Sequence, residues 1–286
     1  LLYSYIVSNL KKKVNFNREI DELINKMTGE KILRYTCQLL VNDKSGLKAH
    51  GSGVFIKVNE LHILLTAAHV TEGWTDENPL FIRIGATKHV TLVGGFRETK
   101  LQKDDKIDLA YIIVDERILP DLKKAYLFLP VSKIRDHKQL LGATNYCVMG
   151  YPEKSKQEIN GKIEPVAQAY YVSPSSDKVY EYYDFNPDLF YMLEIKGKGT
   201  NIKTGEKKKT GTHFYGISGC GLWIMIIDSD GEKINSVDYR LIGIMTEFRN
   251  SKYLTLIGIK IRVVLNAIME FEKIKLNEVK TTYNNL

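Results

Sequence analysis

YGISGCGLWIM, residues 215–225, is the stretch on which the reading of the chain turns. Ser218 stands in a Gly-x-Ser-Gly-x-Gly turn, and the apolar run 221–227 behind it has the β-branched and aromatic content of a strand. Glycines on both sides of Ser218 let the backbone turn sharply and expose neighbouring N–H groups together. A nucleophilic serine can also occupy a strand-to-helix elbow, but here GLWIMIID continues as a strand. A turn of this composition is equally compatible with a tight hairpin, so its meaning depends on the rest of the chain.

Acyl transfer near neutral pH needs an activated nucleophile, a base, a group that orients the base, and donors for the oxyanion. Working outward from Ser218, each has a candidate. GSGVFI (51–56) is followed by LLTAAHV (64–70), a strand-like run that delivers His69 at its end behind two small alanines. The other histidines (His50, His62, His89, His137 and His213) lack such a setting and read as surface or core residues. In DDKIDLAYIIV (104–114), Asp108 stands directly before the apolar run 109–114, where a carboxylate can accept from an imidazole N–H, whereas Asp104 and Asp105 read as loop residues. The N–H groups of Gly216 and Ser218 are the candidate oxyanion donors. Cys220, two residues beyond Ser218, reads as a small buried side chain.

The apolar periodicity organises the remainder. Residues 15–26 carry helical spacing, with Asn17 as N-cap and Gly29 as terminator. Strand patterns follow at 34–42, 53–58, 63–66, 80–84, 89–93 and 109–114. Residues 115–143 form a charged, Leu-rich connector with some helix. Further strands are expected at 145–149, 167–172, 189–195, 221–227, 240–246 and 253–258, and a helix over 261–275. Twelve strands in two sets predict an all-β fold of two six-stranded antiparallel β-barrels with N- and C-terminal helices. The expected units are a helical segment 1–30, a first barrel 31–130 with His69 and Asp108, a second barrel 131–260 with Ser218, and a helix and tail 261–286.

TAAH ending at His69, DLA beginning at Asp108 and GxSGxG around Ser218, in that order, resemble the chymotrypsin/trypsin-like serine proteases. The bacterial trypsin-like, HtrA-like and glutamyl-endopeptidase-like branches are the most similar. GSGVFI, VMGYP (148–152) and LIGIMT (241–246) extend the resemblance over residues 51–258. It implies a triad of His69, Asp108 and Ser218 in the cleft between two barrels, and an oxyanion hole at Gly216 and Ser218. It also implies a substrate-pairing strand edge at Thr246, Glu247 and Phe248, with Thr246 near the catalytic Asp, and a primary pocket floored by Thr212 and His213. The implied activity is an intracellular serine endopeptidase needing no cofactor or metal. In bacteria such stand-alone enzymes are often regulatory or defence effectors. Secreted relatives place an Asp before the nucleophile to pair with a newly cut N-terminus. Ile217 stands there instead, so activation by such cleavage is not expected. The competing reading is a protease-like protein-binding module without activity. Thr212, His213 and the nearby lysines lead to an expectation of an acidic or polar residue before the scissile bond, with an apolar one as the competitor because Phe248 narrows the pocket.

Bulk properties limit the other classes. The 286 residues, 44% hydrophobic and 26% charged, suffice for a sizeable core without disulfides. The net charge of +7 permits an acidic partner, but no zinc-finger spacing, RRM signature or P-loop points to nucleic acid. Six of the lysines fall within residues 196–209, a solvated hairpin or a docking site for an acidic regulator. Cys37, Cys147 and Cys220 are odd in number and widely spaced, which predicts free thiols in a reducing compartment. Residues 1–10 are apolar but too short for a membrane span, and the lysines 11–13 follow rather than precede them, so a cytoplasmic location is expected.

Overall fold

The computed structural model describes residues 22–44, 46–85, 88–99, 106–138, 146–159, 162–201, 207–209, 214–230 and 234–275. Residues 22–30 are helical (α1) and lead through a 3-10 turn, Ile32–Tyr35, into the first sheet. Its strands are β1 (Thr36–Asp43), β2 (Gly46–Val58), β3 (Leu61–Thr66), β4 (Phe81–Arg83), β5 (His89–Thr91), β6 (Gly94–Glu98), β7 (Ala110–Val114) and the short β8 (Leu129–Pro130). A single helical turn, α2 (Ala68–Thr71), follows β3, and α3 (Leu119–Ala125) precedes β8. The second half contains β9 (Tyr146–Gly150), β10 (Lys156–Ile159), β11 (Lys162–Pro165), β12 (Gln168–Pro174), α4 (Asp177–Tyr183), β13 (Phe190–Asn201) and β14 (Lys207–Lys209). It ends with β15 (Gly221–Ser229), β16 (Ile234–Asn250), β17 (Leu254–Lys260) and α5 (Ile261–Glu272).

The second sheet closes. Its order β12-β9-β15-β16-β17-β13 returns to β12 through the β12–β13 pairing, an antiparallel ring of six with β14 attached to β13. The first sheet runs β5-β4-β1-β2-β3-β7-β6, with β8 parallel to β2, and its two end strands do not pair with each other. Two antiparallel β-units are therefore present, the second a ring and the first a half-barrel. The two extra strands of the first unit are the two-residue β8 and β6, whose GGFRE sequence lacks apolar alternation and pairs only along β7.

Alternation explains how the two units stack. Phe55, Leu64 and Ile112 point into the first unit, while their neighbours Val54, Ile56, Ile63, Leu65 and Tyr111 join the central core. Likewise Tyr146, Val148, Leu222 and Ile242 fill the second unit, while Cys147, Met149, Trp223 and Leu241 face the centre. Strands buried on both faces read as unbroken apolar runs. The α5 helix covers this core with Ile261, Val264, Leu265 and Ile268. Its last turn is tied to the first sheet, Tyr111 Oη donating to Glu272 (2.8 Å) and Arg97 pairing with the same carboxylate (3.5 Å). At the other end α1 continues through Gly29 to residue 30, where Lys31 N–H donates to Met27 O (3.0 Å). The beginning of that helix, including Asn17, lies outside the described residues.

Candidate active site

His69 and Asp108 come from the first unit and Ser218 from the second, and all three line one cleft between them. β3 ends at Thr66, and the small Ala67 and Ala68, both buried, let the α2 turn start at once and place His69 on its first turn. Asp108 sits just ahead of β7, the strand paired with β3, so the ladder itself brings the two residues together. The carboxylate of Asp108 takes two hydrogen bonds from His69: the backbone N–H donates to Oδ1 (2.9 Å) and Nδ1 to Oδ2 (2.6 Å). An ionised carboxylate only accepts, so Nδ1 carries the proton and the lone pair of Nε2 remains for other chemistry. The imidazole is held above its ordinary pKa, chiefly by the hydrogen bond to Asp108, with the charges of Asp108, Glu247 and Glu72 adding to it against the effect of burial.

Ser218 occupies a turn whose backbone groups are nearly all engaged. Ser218 O accepts from Ser52 N (2.8 Å), Gly219 N donates to Met245 O (2.7 Å), and Cys220 N donates to Ile217 O (2.9 Å). Gly216 and Gly219 have φ of 92° and 85°, in the left-handed region that favours glycine. A Cβ on Gly219 would lie 2.1 Å from Thr66 Oγ1 and 2.2 Å from Ser52 O, so the turn is seated directly against the first unit. The N–H groups of Gly216 and Ser218 donate to no acceptor among the described residues. Their orientation has an identifiable cause. Tyr215 O accepts from Glu153 N (2.8 Å), and in a trans peptide the N–H points opposite to the carbonyl, so Gly216 N–H is turned away from Glu153. Ile217 is buried among Tyr146, Val148 and Cys220, an apolar anchor for the turn.

Ser52, in the middle of GSGVFI, was not singled out by sequence reasoning. It is fully buried, its hydroxyl donates to Gly216 O (2.6 Å) and accepts from Tyr151 N (3.0 Å), and its carbonyl accepts from Thr66 Oγ1 (2.9 Å). With its own N–H on Ser218 O, it is the hub joining β2 to the Ser218 turn. Its signal in the sequence was a polar residue between two glycines at the start of an apolar run.

The rest of the cleft is mixed. No hydrogen bond joins Ser218 Oγ to His69 among the described residues; such contacts are often loose in the absence of substrate. Beyond Gly243 and Ile244, β16 separates from β15 and keeps only β17 as a neighbour, which frees the edge of residues 246–250 beside the cleft. Thr246, Glu247 and Phe248 all line the cleft. The Thr246 hydroxyl contacts Ile257 O (3.4 Å), while both hydrogen bonds of Asp108 described above come from His69. Glu247 is paired with Arg249 (2.7 Å). His50 also faces the cleft, held below its ordinary pKa by burial and by the proximity of His69. Lys106, at φ 53°, spans from the Asp108 loop to the end of α4, bonding Asp184 Oδ2 at 2.9 Å and lying 4.8 Å over the Phe185 ring. Thr212 and His213, and the side chains of the lysine-rich residues 196–209, lie outside the described residues. Cys37, Cys147 and Cys220 are free and buried, and burial pushes the Cys147 thiol up to about 12. Among the described residues no cluster of three or more metal-ligating side chains occurs, and no helix is long and apolar enough to cross a membrane.

No protein-family model and no curated protein matches the chain. Solved structures do. The scabies mite inactivated protease paralogue S-I1 aligns over 85% of this chain and 96% of its own, at 15% identity and a TM-score of 0.52. The structure of HBP aligns over 85% of this chain and 92% of its own, at 11% identity and a TM-score of 0.50. Together with the strand topology, these likenesses define the fold as the chymotrypsin-like double β-barrel. At such identities they establish the fold alone.

Proposed function

We propose that this protein is a serine endopeptidase that cleaves peptide bonds through Ser218, His69 and Asp108. The observation that carries the reading is His69, locked to Asp108 by two hydrogen bonds, facing the cleft that also holds Ser218 and two N–H groups with no acceptor among the described residues. In this reading a peptide lies along the free edge of β16. Ser218 Oγ attacks the scissile carbonyl carbon as its proton passes to His69 Nε2. Asp108 keeps the imidazole in the required tautomer and stabilises the imidazolium. The N–H groups of Gly216 and Ser218 receive the oxyanion. The C–N bond then breaks, the leaving amine takes the proton from His69, and water, activated by the same imidazole, releases the acyl group from Ser218.

Two features support competence without N-terminal cleavage. Ile217 anchors the turn by burial where a pairing carboxylate would need a new ammonium partner, and Ser52 holds Gly216 from beneath. Three buried free cysteines fit an enzyme working inside the cell, in keeping with a cytoplasmic location. An acidic partner at the lysines of 196–209 and a regulatory or defence role in a bacterium complete the proposal.

The test is hydrolysis of a peptide library by the wild type and by Ser218→Ala. The expected result is turnover that the variant loses by about three orders of magnitude or more while remaining folded. Equal turnover by the two proteins overturns the assignment of Ser218. A folded wild type inert to all peptides favours the protein-binding module.

A further inference from the structure

Two segments wall the cleft next to Ser218: residues 214–216, which lead into the nucleophile turn, and residues 246–248 on the free edge of β16. A peptide lying on that edge, with its scissile carbonyl between the N–H groups of Gly216 and Ser218, must place the preceding side chain (P1) between these two segments. Each segment carries a phenylalanine. The rings of Phe214 and Phe248 stand 4.5 Å apart, tilted by 49°. That is direct van der Waals contact for two rings. A side chain inserted between them needs about 7 Å, one contact layer of roughly 3.5 Å on each side.

Phe214 is held in place by burial, and Phe248 lies half-buried against it. Phe214 is 4% exposed and is backed on its other side by Tyr170, whose ring lies 5.2 Å away at 64°. Its carbonyl accepts from Ile217 N (3.3 Å), which ties it into the nucleophile turn. Phe248 is fixed in the β16–β17 ladder opposite Leu256 and packs against the same apolar cluster. Displacing Phe214 would open buried apolar surface, a cost that a large P1 side chain has to offset and a small one does not incur. Among the described residues of this edge, the charges of Glu247 and Arg249 pair with each other at 2.7 Å.

We infer that the Phe214–Phe248 contact fills the primary specificity slot and restricts cleavage to peptides with a small residue, Gly, Ala or Ser, before the scissile bond. This rests on the endopeptidase reading above and names its substrate class. It replaces the acidic or polar preference, which relied on Thr212 and His213. Phe214 and Phe248 are thereby specificity-determining residues.

Two measurements separate the slot from the chemistry. In the first, peptides identical except for Ala, Ser, Val, Phe, Lys or Glu at P1 are assayed for hydrolysis by the wild type, Phe248→Ala and Phe248→Gly. The wild type should favour Ala over Phe, Lys and Glu in kcat/KM by about tenfold or more. Either variant should raise the Phe-to-Ala ratio by about tenfold. In the second, the same peptides are titrated against Ser218→Ala, which binds without turnover, and Ala at P1 should again bind more tightly than Phe, Lys or Glu. A wild type that hydrolyses nothing, together with a preference for Ala in the binding titration, refutes the endopeptidase reading and leaves the slot standing. Equal or better use of Phe, Lys or Glu in either measurement overturns the inference. So does a Phe-to-Ala ratio unchanged in both Phe248 variants, or a failure of every peptide to bind.

Discussion

Replacing Ser52 with alanine removes one hydroxyl and two hydrogen bonds, a buried one to Gly216 O at 2.6 Å and a partly buried one from Tyr151 N at 3.0 Å. Both backbone partners are then left in a site where Ser52 itself has no exposed surface. Each unsatisfied group costs about 1–3 kcal/mol, so folding stability should fall by roughly 2–6 kcal/mol. The effect on turnover has a separate origin. Gly216 O anchors the peptide that follows the oxyanion donor, and without that anchor Gly216 N–H is aimed only by the Tyr215–Glu153 bond. Complete loss of one oxyanion donor costs about 10²–10³ in kcat, so partial misalignment should cost about 10–100-fold. The loss should appear in kcat more than in KM, because the oxyanion exists only in the transition state. The assay is steady-state kinetics on one small-P1 peptide, with urea unfolding of the same samples to separate the two effects. A Ser52→Ala protein that is destabilised but retains kcat within twofold would refute the positioning role and leave Ser52 a structural residue.

Three further outcomes follow from the same geometry. His69 must be neutral to act as base, and its pKa is raised in the folded protein, so kcat/KM should rise with pH along a limb centred above the ordinary imidazole value; a limb below about pH 6.5 would contradict the Asp108 pairing. Asp108→Asn keeps the shape but favours the wrong tautomer, and kcat should fall by about 10⁴, with circular dichroism unchanged. Gly219→Ala should unfold the protein or abolish activity, since its Cβ would meet Thr66 Oγ1 at 2.1 Å in a φ of 85°; a stable, fully active variant would show that the turn is not seated as described.

Much of this architecture could be read from the chain because its strands are unusually apolar. Residues 53–56, 63–65 and 109–112 are buried on both faces, so each appears as an unbroken run, and His69 and Asp108 stand just outside such runs. Ser218 was legible for the opposite reason: a cluster of glycines has few explanations next to a strand. β6 and the β10–β11 hairpin were missed because neither has an apolar face; β10 and β11 pair only with each other, outside both main sheets. The α4 helix was hidden inside a tyrosine-rich stretch that reads as strand or core, since only Val179 and Tyr180 of its residues are buried. Ser52 and Phe214 were beyond sequence reasoning of any local kind, whereas the resemblance had already put Phe248 at the pocket. Ser52 acts on Gly216 across 164 residues, and the meaning of Phe214 lies in its contact with Phe248 on a different strand. Such pairs become visible only when the two β-units are packed together.

The most direct test of the central claim is stoichiometric labelling by a fluorophosphonate, read as intact mass and mapped by peptide mass spectrometry. This reagent forms a covalent bond to a serine only where a base activates the hydroxyl and donors stabilise the phosphonyl oxygen. The account predicts one adduct per chain, on Ser218, without prior cleavage of the protein, and none on Ser218→Ala. A folded wild type that takes up no label, or a label that persists in Ser218→Ala, would contradict it.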